Sequence, residues 1–337
     1  METSLISFKT QLRDALLAFL WRQWSALGVS GHARTDDPWL IDPEALLLFS
    51  TVVARHDARL FDEILDWLHL HADLLNLQRL SRLQKDHAIG DASVLAAIAS
   101  QLTRDKANPK WRALVTRATP PPAQATPRPL FPHLPAIGRG DDTWLAWGWQ
   151  RPPVELRGLS QPPRPDQPAT FLFKLRALFG LQTRAEVVAW LLAHDTGHPA
   201  EIARATGYFR SSIQGVLNEL AASGHVFSVR TGREKHFGLR REEWRFLLTW
   251  PHPDSSPFPR WVDWPGYFAA LRRVFDLVEH PRLDAMSASL QAIELLRALD
   301  AARLAKDSQA AAFAVPAGET GTPYLDFALK ELRALLG

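Results

Sequence analysis

Apolar residues recur at helical spacing in both end regions of the chain. In residues 1–106 the first stripe consists of Phe8, Leu12, Leu16, Phe19 and Leu20. In residues 251–337 two stripes consist of Leu271, Val274, Phe275 and Val278, and of Leu290, Ile293, Leu296 and Leu299. Because residues three and four apart share one face of an α-helix, these patterns predict an N-terminal helical domain and a C-terminal helical region.

Three acidic residues of the N-terminal domain stand where helices are expected to begin. Asp42 precedes Pro43 and Glu44, an order that suits an N-cap, a proline in the first turn and a carboxylate near the positive end of the helix dipole. Asp57 and Asp91 each precede another apolar stripe. We therefore expect helices to start directly after these three aspartates.

Two further groups of carboxylates could suggest acid–base chemistry. Asp62, Glu63 and Asp66 lie within one predicted helix. That helix also carries an apolar stripe, so a solvent-exposed acidic face is the simpler interpretation. Asp141 and Asp142 could line a pocket, but their position after a glycine-containing stretch favours a turn.

A proline-rich connection is predicted over residues 107–167. Thirteen of the 25 prolines lie between Pro120 and Pro168, and proline lacks the N–H that helices and inner strands require. The same connection contains Trp144, Trp147 and Trp149. Because a disordered segment rarely carries so much apolar surface, we expect these tryptophans to pin the connection to a neighbouring domain. Lining a ligand cleft is the alternative role for them.

Residues 168–250 begin with the pattern of two helices and a tight turn. Thr183 and Glu186 have the spacing of a capping box at the start of an apolar helix. The segment from Pro199 to Thr206 is long enough for about two helical turns. Gly207 then suits the left-handed backbone of a tight turn. This order is typical of the supporting helix and turn of a helix-turn-helix.

The next helix has one apolar and one polar face. Its buried face is predicted to consist of Phe209, Ile213, Val216, Leu217 and Leu220. The opposite face carries Gly215 and the candidate DNA-binding residues Arg210, Ser211, Ser212, Gln214 and Asn218. Guanidinium and amide groups can bond to base edges and phosphates, and small residues allow a helix to approach a groove closely.

A β-hairpin is predicted directly after this helix. Two short β-type runs, Val226–Arg230 and Lys235–Leu239, are joined by a turn over residues 231–234. The candidate DNA-binding residues of this hairpin are Arg230, Arg233, Lys235 and His236. A cationic hairpin beside a helix-turn-helix can reach the sugar-phosphate backbone or the minor groove.

These central residues resemble bacterial winged helix-turn-helix transcriptional regulators of the ArsR and MarR type. The residues that carry the resemblance are Ala200-Glu201-Ile202-Ala203, Gly207-Tyr208, Ser212-Ile213-Gln214, Leu217-Asn218-Glu219-Leu220, Gly224-His225-Val226 and Arg230-Thr231-Gly232-Arg233-Glu234-Lys235-His236-Phe237. The resemblance implies that the third helix enters the major groove and that the wing contacts the DNA backbone. It covers about 80 of the 337 residues. The chain departs from these families by its central placement of the winged helix and by lacking a cysteine-rich metal-sensing motif.

The distribution of charge singles out the same region. The net charge of the whole chain is only +3, which does not by itself identify a nucleic-acid binder. Residues 204–245, however, contain eight Lys or Arg against four Asp or Glu. The remainder of the chain then carries a net charge of −1, so the basic excess lies in one segment.

Several chemistries find no support in the sequence. The chain has no cysteine, which excludes disulfides, thiolate metal sites and cysteine nucleophiles. It has no Walker A, metalloprotease, nucleophile-elbow or dinucleotide motif, so we expect no enzyme, no catalytic residues and no cofactor. His194, Asp195 and His198 could suggest a metal, but they lie in a predicted turn without further ligands at a recognisable spacing, so we expect none. We also expect no signal peptide and no membrane span, and hence a cytoplasmic protein.

The sequence thus predicts a mainly α protein with a central winged helix-turn-helix and a small β-hairpin wing, flanked by N- and C-terminal helical domains. The predicted divisions are residues 1–106, 107–167, 168–250 and 251–337, the last a possible dimerisation region. The expected function is sequence-specific binding of double-stranded DNA by a homodimeric transcriptional regulator, a repressor, whose small-molecule effector is unknown. The alternatives are an interaction protein of the antitoxin or defence-associated kind and an RNA-binding module.

Overall fold

The chain is mainly helical, as the sequence predicts. A computed structural model describes residues 4–31, 38–104, 109–122, 125–135, 138, 140–249, 258–280, 283–307, 310 and 323–337. Within these ranges no helix combines the length and the apolar character needed to cross a bilayer.

Six helices form the N-terminal part, and the three expected starts are confirmed. The helices are α1 (Leu5–Ala26), α2 (Pro43–Val53), α3 (Ala58–His71), α4 (Leu77–His87), α5 (Ala92–Arg104) and α6 (Arg112–Arg117). The side chains of Asp42, Asp57 and Asp91 each accept the backbone N–H three residues further on, at 3.0–3.1 Å. These bonds satisfy backbone donors that the first helical turn leaves unpaired.

The proline-rich connection is held to α5 by its tryptophans, which confirms their expected pinning role. It contains a two-residue strand, β1 (Arg128–Pro129), a short helix, α7 (Asp142–Leu145), and β2 (Trp149–Gln150), which pairs with β1 in parallel. Trp144, Trp147 and Trp149 are all buried. Their indole N–H groups donate to three side chains of α5, namely Gln101, Ser100 and Ser93. Asp141 caps α7 through the N–H of Thr143, so the start of a short helix stands where a turn was expected.

The central part of the chain forms its own hydrophobic cluster. Its elements are α8 (Phe171–Phe179), α9 (Thr183–Ala193), α10 (Pro199–Thr206), α11 (Arg210–Ala222), β3 (Phe227–Thr231), β4 (Glu234–Gly238) and α12 (Phe246–Thr249). Strands β3 and β4 pair in antiparallel fashion. Large buried side chains of α9, such as Trp190, and of β4, such as Phe237, belong to this cluster.

The C-terminal helices pack against the N-terminal ones. They are α13 (Trp264–Glu279), α14 (Ala288–Lys306) and α15 (Pro323–Leu336). Phe49 of α2 stacks on Phe268 of α13, and the hydroxyl of Tyr267 donates to the carbonyl of Leu335 at 2.9 Å. Arg22 of α1 also donates to the carbonyl of Leu336. The predicted stripes of α1 and α13 therefore lie in one hydrophobic cluster within the chain, together with Leu296 and Leu299 of α14. Leu290 and Ile293, the other half of the predicted α14 stripe, are about half exposed instead.

The predicted division into domains stays a prediction. The boundaries at residues 106/107 and 250/251 lie outside the described residues. The terminal helices share one hydrophobic cluster and most central elements share another, but Phe173 of α8 belongs to the first cluster and Leu40 to the second.

The acidic residues of α3 do not form a solvent-exposed face, so that interpretation was wrong for two of the three. Glu63 and Asp66 are buried, and only Asp62 is partly exposed. Glu63 pairs with Arg157, and Asp62 pairs with the buried Arg151 at 2.8 Å. All three carboxylates of α3 thus bind the C-terminal end of the proline-rich connection, at residue 151 and at residues 157–160.

Asp66 anchors this returning segment through its backbone. Its two carboxylate oxygens accept four consecutive backbone N–H groups, those of residues 157–160, at 2.6–3.1 Å. Burial alone would raise the pKa of Asp66, but the hydrogen bonds from Gly158 and Ser160 outweigh it and hold the pKa below its usual range. The ionised carboxylate is therefore part of the folded structure.

A buried network of charges joins the N-terminal helices to the central elements. It consists of Asp42 and Glu44 at the start of α2, Arg79 of α4, Arg176 of α8 and Glu186 of α9. Each side chain is at most 6% exposed. Arg79 binds both Asp42 and Glu44, and Arg176 binds both Glu44 and Glu186, so Glu44 is shared by the two cations.

The network extends to the turn between α10 and α11. The Nε of Arg79 donates to the carbonyl of Thr206, the last residue of α10, at 2.6 Å. Asn76, which caps α4, donates to the hydroxyl of Tyr208 at 2.9 Å. Burial alone would raise the pKa of Asp42, but the guanidinium of Arg79 holds it below its usual range. The charges thus fix the position of α10 and α11 relative to the N-terminal helices.

The predicted capping box at the start of α9 is wrong. Gln182 occupies the N-cap position, and no side chain caps the helix. Glu186 instead turns inward and accepts from Arg176 at 2.7 Å. An ion pair with a buried guanidinium replaces the local hydrogen bond that the spacing suggested, because Glu186 needs a cationic partner once it is buried.

We expect Arg176→Met to destabilise the fold by about 3–5 kcal/mol, because the change leaves Glu44 and Glu186 buried with one cation fewer. The free energy of unfolding in urea measures the effect. Arg297→Met removes an exposed pair with Glu294 and serves as the control, with an expected loss below about 1 kcal/mol. Equal stability of the Arg176→Met variant and the wild type would contradict the structural role of the network.

A second prediction concerns acid. The pKa of Asp66 is lower in the folded than in the unfolded chain, so its contribution to stability is present above about pH 4 and is lost as the pH falls through the folded value. Asp66→Asn should cost about 1.5–3 kcal/mol at neutral pH and flatten the loss of stability in acid. Urea unfolding from pH 7 to pH 3 tests this, with the exposed Asp73→Asn as the control. If the free energy of unfolding falls in parallel with pH for the Asp66→Asn variant and the wild type, the stabilising role of the ionised Asp66 is refuted.

Candidate nucleic-acid interface

Helix α11 presents one polar face to solvent. Ile213 and Leu217 are fully buried against the central cluster. The predicted contact residues on the other face are exposed at Arg210, Ser211, Ser212 and Asn218 and half-buried at Gln214. The Nε2 of Gln214 donates to the Oδ1 of Asn218 at 3.1 Å. Their two amide groups therefore stand side by side, one turn apart.

Gly215 lies on this polar face, and packing does not require it. A Cβ atom built at Gly215 would meet no other atom within 4 Å. Glycine inside a helix is less stable than alanine by about 1 kcal/mol, so the fold gains nothing from it here. The small residue leaves the backbone of α11 accessible at the middle of the face.

Phe209 departs from the predicted buried face. It is 66% exposed and serves as the N-cap of α11 with an extended backbone. The guanidinium of Arg82, from α4, lies over its ring at 4.1 Å. The helical spacing does not apply to Phe209, because α11 begins only at Arg210. Val216 and Leu220 are half-buried and pack against the central cluster, so they lie on the core-facing side as predicted.

The turn before α11 takes the expected form. Gly207 has φ +73°, in the left-handed region that favours glycine. A Cβ atom there would also lie 2.8 Å from the Cδ2 of Leu83 in α4. Both the backbone angle and the close approach of α4 thus require glycine at this turn.

The hairpin forms where it is predicted, with each strand shifted by one residue and the turn shortened to two residues. Thr231 pairs with Glu234, so Gly232 and Arg233 form the tip, and Gly232 has φ +64°. Arg230, Arg233 and Lys235 are exposed, and His236 is half-buried. The Nζ of Lys235 lies over the ring of Phe237 at 4.8 Å, and His236 lies 3.4 Å from the carboxylate of Glu234.

The hairpin is joined to the segment that precedes α10. Gly197 and Phe237 exchange two backbone hydrogen bonds, at 2.8 and 2.9 Å. Phe237 is fully buried, which anchors β4 in the central cluster. His198, which follows Gly197 in the chain, caps α10 and forms a capping box with Glu201. The hairpin and the α10–α11 pair are therefore fixed to one another through residues 197–198.

The electrostatics of this surface favour an anionic partner. Among the residues that the structure describes, Arg210, Arg230 and Arg233 form no ion pair. Arg230 stands directly opposite Lys235 in the hairpin, and like charges at such positions are destabilising. Glu219 is the acidic residue of α11, and Arg184 neutralises it at 2.5 Å. The fold thus carries unneutralised positive charge on both the helix and the hairpin.

One neighbouring feature was missed by the sequence analysis. A cleft of about 340 Å³ lies between α4 and the α10–α11 turn, lined in part by Arg82, Arg204 and Arg210. Arg82 and Asp86 have the i, i+4 spacing of an ordinary surface ion pair, so nothing in the sequence distinguishes them. Only the packing of α4 on the turn brings these residues together.

The residues weighed as metal ligands each have another partner. The ring of His194 stacks on Trp190 with centroids 3.8 Å apart, and Asp195 pairs with Arg241 at 3.0 Å. His198 accepts the backbone N–H of Ala200 at 3.3 Å. Within the described ranges, no three His, Asp or Glu side chains cluster in a way that could hold a metal ion.

Comparisons of this chain with protein-family models, with curated proteins and with solved structures give no match. The resemblance to ArsR and MarR regulators therefore stays a prediction drawn from the residues of the central region.

Proposed function

We propose that the chain binds double-stranded DNA through a winged helix-turn-helix and acts as a transcriptional regulator, a repressor. The order of elements supports this: α9, the paired residue Gly197, α10, α11 and the β3–β4 hairpin follow one another along the chain. In this proposal α10 is the supporting helix, α11 is the recognition helix and the hairpin is the wing.

The exposed polar face of α11 is the observation that carries the proposal. Its side chains are a guanidinium, two hydroxyls and two amides, and all of these groups can bond to base edges or phosphates. Gln214 and Asn218 can offer their donors and acceptors together, because they already stand one turn apart. The open space around Gly215 allows the helix backbone to come close to a groove floor.

The wing supports the same ligand. Arg230 and Lys235 oppose one another, and Arg233 stands at the tip, so three cations lie within six residues. Repulsion between these like charges destabilises the protein in the absence of DNA. The repulsion is offset when phosphates lie between the cations. The wing is thus suited to contacts with the DNA backbone, which position the protein without reading the sequence.

A homodimer is part of the proposal, because one recognition helix spans too few bases to specify a genomic site. The stripes of α13 and α15 are occupied within the chain, so a dimer would need another surface. Leu290 and Ile293 of α14 are about half exposed and lie three residues apart. Sedimentation at micromolar concentration with and without duplex DNA would test this part.

A protein partner is the second candidate function. Val229 and Phe227 of the hairpin are 47% and 36% exposed, and they lie two residues apart on one strand face. An apolar strand face of this kind suits a protein contact better than a phosphate backbone. Affinity capture from the native host, with and without nuclease, separates the two candidates, because a protein partner survives nuclease and a DNA-bridged one does not.

Arg210→Ala and Gln214→Ala should reduce the discrimination between a selected duplex and a random one. The expected cost is about 1–3 kcal/mol on the selected sequence if a good base contact is lost. Selection from random duplex DNA supplies the sequence, and fluorescence anisotropy of both duplexes measures the ratio. The exposed Arg297→Ala is the control. An unchanged ratio in both variants would contradict the role of α11.

Arg233→Ala should weaken all duplexes alike. Because a phosphate contact releases counterions, the slope of log affinity against log salt should fall by about 1. The measurement is a titration of both duplexes from low to physiological salt. If Arg233→Ala instead changes the ratio between the two duplexes and leaves the salt slope intact, the division of roles between wing and helix is wrong.

A further inference from the structure

The cleft between α4 and the α10–α11 turn has the size and lining of a small ligand site. Its volume is about 340 Å³, within the range of pockets that hold small molecules. The polar side chains that line it are Arg82, Asp86, His87, Arg204, Tyr208 and Arg210. The site is composite, since α4 supplies the first three residues, and α10, the turn after it and α11 supply the others.

The cleft carries an excess of positive charge. Three guanidiniums face one lining carboxylate, that of Asp86, which binds the Nε of Arg82 at 3.2 Å. Among the described residues, Arg204 and Arg210 form no ion pair. Asp263 is a further carboxylate that interacts with Arg204 and His87, but its Oδ1 accepts the N–H of Gly266 and burial raises its pKa. Cations still outnumber carboxylates when Asp263 is included.

Arg82 is held in place with a donor unused. Its guanidinium lies on the ring of Phe209 and is bound by Asp86 on one side. Its Nη1 atom is inaccessible to solvent and has no hydrogen-bond partner. A buried donor without an acceptor is unfavourable, and buried polar groups in folded proteins nearly always have partners. An oxyanion in the cleft supplies the missing acceptor only when the Arg82 side chain, which is 30% exposed, shifts to turn Nη1 toward it.

We propose that this cleft binds a phosphate group. A phosphate oxyanion suits this excess of positive charge, and the forked donors of arginine pair with phosphate oxygens in a bidentate way. The group can come from a free phosphorylated molecule or from the backbone of a bound duplex. The second source rests on the proposed DNA-binding function, and the first does not.

The location of the cleft links its occupancy to α11. Arg210 lines the cleft and also begins the exposed face of α11. A free phosphorylated molecule bound there would engage Arg210 and compete with DNA for it. A DNA phosphate bound there would extend the interface from α11 onto Arg82 of α4.

Binding of a free phosphorylated molecule can be tested without any DNA. The full chain is titrated with inorganic pyrophosphate at constant ionic strength, and calorimetry measures the binding. Arg82→Gln and Arg204→Gln should each weaken binding by about tenfold, the loss expected from one charge-assisted hydrogen bond. Arg297→Gln is the matched control, and circular dichroism checks that each variant folds. A free ligand is supported when pyrophosphate binds the wild type and the control but binds both cleft variants more weakly.

Duplex binding by anisotropy tests the second source. If pyrophosphate does not bind, but Arg82→Gln and Arg204→Gln each weaken duplex binding and lower the salt slope by about 1, the cleft holds a DNA phosphate. The proposal is overturned when both cleft variants bind pyrophosphate and duplex DNA as the wild type does. It is also overturned when Arg297→Gln weakens binding as much as the cleft variants do. If the chain binds pyrophosphate but does not bind duplex DNA, only the proposed DNA-binding function is overturned.

Discussion

The arrangement of this protein depends on a buried network of five charged side chains. Two arginines and three carboxylates lie at the contact between the N-terminal helices and the central elements, each at most 6% exposed. Charges removed from water are tolerated only when their partners are all in place. The network therefore acts less as a source of stability than as a condition on geometry. Any displacement of α4 or α8 would separate a cation from the carboxylates that it serves.

Local signals in the sequence predicted local structure well. Asp42, Asp57 and Asp91 cap the helices that follow them, since an N-cap needs only its own side chain and a backbone N–H three residues away. Gly207 and the short hairpin turn were found for the same reason. The polar face of α11 is visible in the sequence because the periodicity of one helix is sufficient to define it.

Long-range partners could not be predicted in this way. Glu186 has the spacing of a capping residue, yet it binds Arg176. Asp66 has the pattern of a solvent-exposed residue, yet it accepts the backbone N–H groups of residues 157–160. These partners lie far along the chain or in an irregular segment, where no periodicity exists. The cleft next to α11 was missed for the same reason, because Arg82 and Arg204 belong to helices whose contact the sequence does not encode locally.

The pairing of α1 with α15 has a consequence for the synthesis of the chain. Arg22 donates to the carbonyl of Leu336, 314 residues later, and Arg333 binds Gln11. At about 5–20 residues per second, roughly 15–60 s separate the emergence of the two helices from the ribosome. During that interval the apolar stripe of α1 lacks part of its final cover. The apolar surface of α1 is therefore synthesised well before α15 is available to cover it.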